Sequence, residues 1–135
     1  MVNLFLDQEH EDYFYGLRSK MEQETYKTNK KYLSVIFLMA AEEELYRKAN
    51  PYFDTTRGVF DSNKMFEEQD FSVGIGLLAR LAVLLFDNNE SVTLLKLIGT
   101  LDEIRFKLAL NAIYLRRFGF IEYKEQEEKL KMPRS

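Results

Sequence analysis

The stretch VGIGLLARLAVLLF, residues 73–86, is apolar on nearly every side when wound as a helix, and Arg80 is its one charge. Such a helix has to be enclosed, by lipid or by the rest of the chain. Its 14 residues would rise only about 21 Å, short of the roughly 30 Å hydrocarbon layer, so protein must enclose it. The 135-residue chain is 46% apolar and 30% charged, with two prolines and six glycines, which suits one folded domain with a single core.

The covering helices are legible. Asp7, followed by Gln8 and Glu9, reads as an N-cap with acid in the first turn, and the spacing predicts a helix to about Thr25 with Phe14, Leu17 and Met21 on one stripe. A second helix is expected from Thr28 through KKYLSVIFLMAAEEELYRKA until Asn50-Pro51 stops it, with Tyr32, Val35, Ile36, Met39 and Ala40 inward. Residues 61–68 suggest a short helix. Ser72 and Ser91 are expected to cap the next two helices, the second closed by Gly99. Thr100-Leu101-Asp102-Glu103 has capping-box spacing before a last helix ending at Phe118, with Gly119 as C-terminal cap. The charged tail, 120–135, is expected to fray. An extended pair of 3–6 with 120–123 is a weaker expectation.

Chemistry-bearing residues are sparse. The chain has no cysteine, which removes thiolate ligands, thiol nucleophiles and disulfides and fits a reducing cytosol. Its opening, MVNLFLDQEHED, lacks the basic-then-apolar order of a secretory signal, so a cytoplasmic protein is expected. His10 is the sole histidine; beside Asp7 and Glu11 it could serve a base or a hard-ion site, yet an exposed first-turn histidine explains it more simply. Glu42, Glu43 and Glu44 read as a solvated helix face rather than acid–base machinery. Gly74-Ile75-Gly76 lacks the strand, third glycine and lysine of a phosphate loop and reads as close helix packing. No cofactor or metal is expected, and no enzyme activity.

Two stretches bear on binding. Residues 52–71 combine weak periodicity with Tyr52, Phe53, Phe60 and Phe66, anchors of the kind interfaces favour, although the same rings would serve equally as core. The last helix carries Arg105, Lys107 and Asn111, which would form a nucleic-acid-reading set if residues 91–118 were a helix-turn-helix pair. Against that, Asp102 and Glu103 occupy the turns that would face phosphate, and the net charge is −3. The last helix also has two apolar stripes, Leu101, Ile104, Leu108, Ala112 and Leu115 on one and Phe106, Leu110 and Ile113 on the other. Neighbours are therefore expected on both sides of it.

The segments LFLDQEHEDYFYGLRSKM, LLARLAVLLFDNN and LDEIRFKLALNAIYLR resemble small helical proteins, uncharacterised in function, of Gram-positive bacteria, their prophages and conjugative elements. The middle segment has Leu85-Phe86-Asp87 where that family has a Leu-Phe-Asn-type sequence. The resemblance implies an accessory protein acting on a host or phage protein, and it brings no catalytic residues.

The resulting expectation is an all-α, single-domain bundle, 1–119, of five or six helices around the apolar helix of 73–86. Its function would be non-catalytic binding of another protein through the aromatics of 52–71 or the acidic first helix, with a homo-oligomer as a second form of association. A DNA-binding regulator is the alternative. Membrane is not an expected partner.

Overall fold

Asp7 opens α1 (Gln8–Ser19) by accepting the His10 N–H on its carboxylate at 2.8 Å. The computed structural model describes residues 3–87 and 89–119. The tail at 120–135, and with it the pairing considered for 120–123, lies outside them. The first helix ends at Ser19 rather than near Thr25, because the chain turns to bury Met21 and Arg18 Nε then reaches the Lys27 carbonyl at 2.8 Å. A 3-10 turn (Glu24–Thr28) leads into α2 (Lys30–Ala41), whose cap is the Asn29 side chain.

α2 lies at the middle. Residues 32–40 are all buried, and α1, α5 (Val73–Asp87) and α7 (Glu103–Phe118) each pack against it. The single long helix expected from Thr28 to Asn50 is interrupted at Glu42, whose backbone is extended (φ −131°, ψ 112°). α3 (Glu43–Ala49) restarts beyond it. The interruption has a tertiary partner: the Glu42 carboxylate receives Arg105 Nε at 2.9 Å from α7. Local propensity over Ala40-Ala41-Glu42-Glu43 favours helix, and this distant contact accompanies its break.

Asn50-Pro51-Tyr52 forms a 3-10 turn, and a small antiparallel hairpin follows, β1 (Phe53–Asp54) with β2 (Val59–Phe60), in register Phe53 opposite Phe60. Its loop needs glycine at 58. The φ there is +72°, and a Cβ would stand 2.5 Å from the Tyr32 hydroxyl and 2.8 Å from that of Tyr26. α4 (Ser62–Glu68) is the short helix expected, capped by Asp61.

α5 (Val73–Asp87) packs on α2, α3, α6 and α7. The hydroxyl and backbone N–H of Ser72 both donate to Glu44 at 2.8 Å instead of the hydroxyl capping α5. α6 (Leu94–Thr100) is capped by Thr93, not Ser91, and runs past Gly99. α7 (Glu103–Phe118) is capped by Asp102, not Thr100, and closes at Gly119 with φ +84°. Thr93 and Asp102 each stand just before the first helical residue and accept the backbone N–H three positions on, of Lys96 and Arg105, as an N-cap does. The architecture is mostly helical, with seven α-helices among the described residues. None of them is long and apolar enough to cross a membrane.

Candidate partner-binding groove

The aromatic residues of 52–71 do not form one exposed surface. Phe53 and Phe60 are 6% and 5% exposed and meet each other and Phe86 with ring centroids 5.2 to 6.0 Å apart. Tyr52 is half-buried, its hydroxyl bonded to Glu68 and Gln69, and half-buried Phe66 lies under the Arg80 guanidinium. Two of the four expected contact residues thus belong to the core, because the hairpin folds its ring pair inward.

The nucleic-acid set is similarly dispersed. Arg105 bridges Glu42 at 2.9 Å and Asp102 at 3.2 Å, and Asn111 donates to the Leu4 carbonyl at 2.9 Å. Lys107 is exposed. Arg105 and Asn111 are spent on holding α7 to the α2–α3 junction and to the N-terminal segment.

His10 is not an exposed first-turn residue but is 3% exposed. Leu4, Phe5 and Leu6 fold back over α1, the Leu6 N–H donates to His10 Nδ1 at 3.1 Å, and Nε2 lies 2.8 Å from the Phe37 carbonyl. That pair of partners defines the neutral tautomer with the proton on Nε2. Burial pushes the imidazole below its ordinary 6.5, against the opposing pull of the Phe37 bond and the Asp7 and Glu42 charges. The imidazole is a structural pin joining three segments.

The glutamate run also departs from a solvated face. Glu42 holds Arg105, and Glu44 accepts from Ser72 and from Lys48 at 3.2 Å. The Ser72 backbone N–H, then its hydroxyl, and Lys48 hold the Glu44 carboxyl at about 2. Lys48 in turn donates to the Asp70 carbonyl and lies over Phe71. Only Glu43, exposed and facing Arg47, fits the expectation. Among the described residues no three of His, Asp and Glu stand together as a metal site. A Cβ at Gly74 would touch Leu101 and Arg105 at 3.7 Å, so that glycine sits where the start of α5 approaches α7.

What the fold does assemble is a groove. α1 and α3 wall a depression of about 630 Å³ whose apolar lining includes Leu6, Leu17, Met39, Ala40 and Tyr46. Through Leu17, Lys20, Met39 and Tyr46 it continues into a second of about 290 Å³ that reaches the hairpin at Asp54 and Thr55. Asp7, Glu9, Asp12 and Glu43 line the larger part, against Lys20 as its one lysine or arginine among the described residues. Tyr13, 58% exposed, stands at its edge. Gly16, inside α1, also lines it, and a Cβ there would meet nothing within 4 Å. A mid-helix glycine costs about 1 kcal/mol relative to alanine, and no contact among the described residues requires one at this position.

The groove's acidic wall comes from the first helix, whose charge the sequence displays, but its floor is the C-terminal end of α2 and its far wall is α3, which begins after the break at Glu42. No periodicity reveals that break. Comparison with protein-family models, curated proteins and solved structures finds no match for this chain.

Proposed function

We propose that this chain is a non-catalytic protein-binding domain, and that the groove between α1 and α3 takes an amphipathic segment of another protein with basic residues along its edges. The observation that carries this reading is the combination of an apolar floor with, among the described residues, four carboxylates and one lysine around it. An amphipathic helix laid in such a groove would bury its apolar face while its cations met the rim. Gly16 supports it by leaving the α1 backbone open to close approach. In the mobile-element context that the resemblance implies, the partner would be a host or phage protein.

The test is capture from a bacterial lysate with and without nuclease, across a salt series, comparing wild type with Asp12→Lys and Glu43→Lys. The expected result is a discrete protein retained after nuclease treatment and lost, or reduced at least tenfold, in the charge-reversed variants. Retained nucleic acid that disappears with salt and with Lys107→Ala would overturn this reading in favour of a DNA-binding regulator.

A further inference from the structure

α7 buries one arc of its surface, Leu108, Ala109, Ala112 and Leu115, and leaves the opposite arc outward. Between Glu103 and Arg117 that outer arc is apolar except for Lys107. Leu110 is 47% exposed, Ile113 39%, Tyr114 39% and Phe118 56%, with half-buried Phe106 on the same side. Glu103, Phe106, Leu110, Ile113 and Arg117 succeed one another at alternating three- and four-residue steps, the spacing of a helix-pairing seam. The seam begins with an exposed acid in the first turn and ends with an exposed base in the last.

We infer that this outer face of α7 pairs with the same face of a second copy of the chain, antiparallel and centred on Leu110. In that arrangement Leu110 meets its own symmetry mate, Phe106 meets Tyr114 of the second copy, and Glu103 meets Arg117 of the second copy at both ends. A parallel pair would set Glu103 against Glu103 and Arg117 against Arg117, so the charges select the antiparallel one. A two-fold interface requires one surface that complements itself, and in this register Leu110 faces Leu110, Phe106 faces Tyr114 and Glu103 faces Arg117, while Ile113 lies against the aliphatic stem of Lys107 of the second copy. The helix is 16 residues long, about 24 Å, and one such helix pair lies at the small end of dimer interfaces, so the dimer forms at high protein concentration. The exposed residues of α6, Leu94, Leu95 and Ile98, have no such charge pairing and are not part of the assignment. The inference is independent of the groove, which lies on α1 and α3.

Sedimentation equilibrium over roughly 1 μM to 1 mM tests it. The wild type should pass from monomer to dimer in that range, and Leu110→Asp should remain monomeric with an unchanged unfolding midpoint. Glu103→Arg and Arg117→Glu should each weaken dimerisation several-fold. An equimolar mixture of the two should associate at least as well as wild type, because each end then carries one Arg and one Glu. A monomeric wild type at about 1 mM, a dimer indifferent to Leu110→Asp, or a mixture no better than its components would each overturn the antiparallel pairing.

Discussion

The Phe53–Phe60 hairpin and the outer side of α7 hold comparable apolar side chains in opposite situations. In the hairpin two strands of two residues turn a ring pair down onto Tyr32 and Phe86, and the Gly58 loop closes over the stacked Tyr26 and Tyr32 rings, 4.1 Å apart. On α7 the inner arc has α2 and α5 against it, while Leu110, Ile113, Tyr114 and Phe118 stay open. Apolar character alone does not place a residue in the core. The chain must also supply an element to cover it, and here its helices are used up on the side facing α2.

The comparison can be broken most decisively at its buried end. Phe53→Ala or Phe60→Ala should lower unfolding free energy by about 3–5 kcal/mol in urea titrations, the usual cost of emptying a packed aromatic site. Leu110→Ala, on the open face, should stay within about 0.5 kcal/mol when measured on dilute protein. Equal losses at the two places would mean that the α7 face is covered after all.

Gly58→Ala should come next, at about 1–3 kcal/mol, since it combines a left-handed backbone with the crowding of two tyrosine hydroxyls. Gly16→Ala should act in the opposite direction and stabilise by about 0.5–1 kcal/mol, because α1 gains helix propensity and meets no obstruction. A destabilised Gly16→Ala would show that α1 is crowded at Gly16 and not open there.

The smallest effect concerns pH. His10 is buried neutral with its pKa below 6.5, so the unfolded chain binds the extra proton first. Stability should therefore be fully present above about 6.5 and decline as pH falls from there through the lowered folded value. Denaturation midpoints measured at intervals between about pH 7.5 and 5 should show this decline, and His10→Phe should flatten it. Glu44, held at about 2, contributes above its ordinary 4.5 and loses that contribution toward 2, in a separate window.

Much of the fold is legible in the chain because the signals are local. The Asp7 cap, the short helix after Asp61, the apolar run of α5 and the Gly119 terminus each follow from a few neighbouring residues. What eludes the sequence depends on distant partners. Glu42 interrupts a continuous helical pattern alongside an ion pair with Arg105, 63 positions away. His10 is buried because Leu6 folds back and Phe37 arrives from α2. The second stripe of α7 reads as core by periodicity, yet periodicity reports that a face is apolar and is silent on whether anything covers it. For the groove, the acidic wall was visible in Asp7, Glu9 and Asp12, whereas the apolar floor required the packing of α1 across α2.

The most direct test of the account is occlusion of that groove without loss of fold. Gly16→Trp starts from a Cβ that meets nothing within 4 Å among the described residues and extends into the depression of about 630 Å³, so its unfolding midpoint should match or exceed that of the wild type. In nuclease-treated lysate capture it should fail to retain the protein that wild type and Gly16→Ala retain. A folded Gly16→Trp that captures the same protein undiminished would contradict the assignment of the α1–α3 groove as the binding surface.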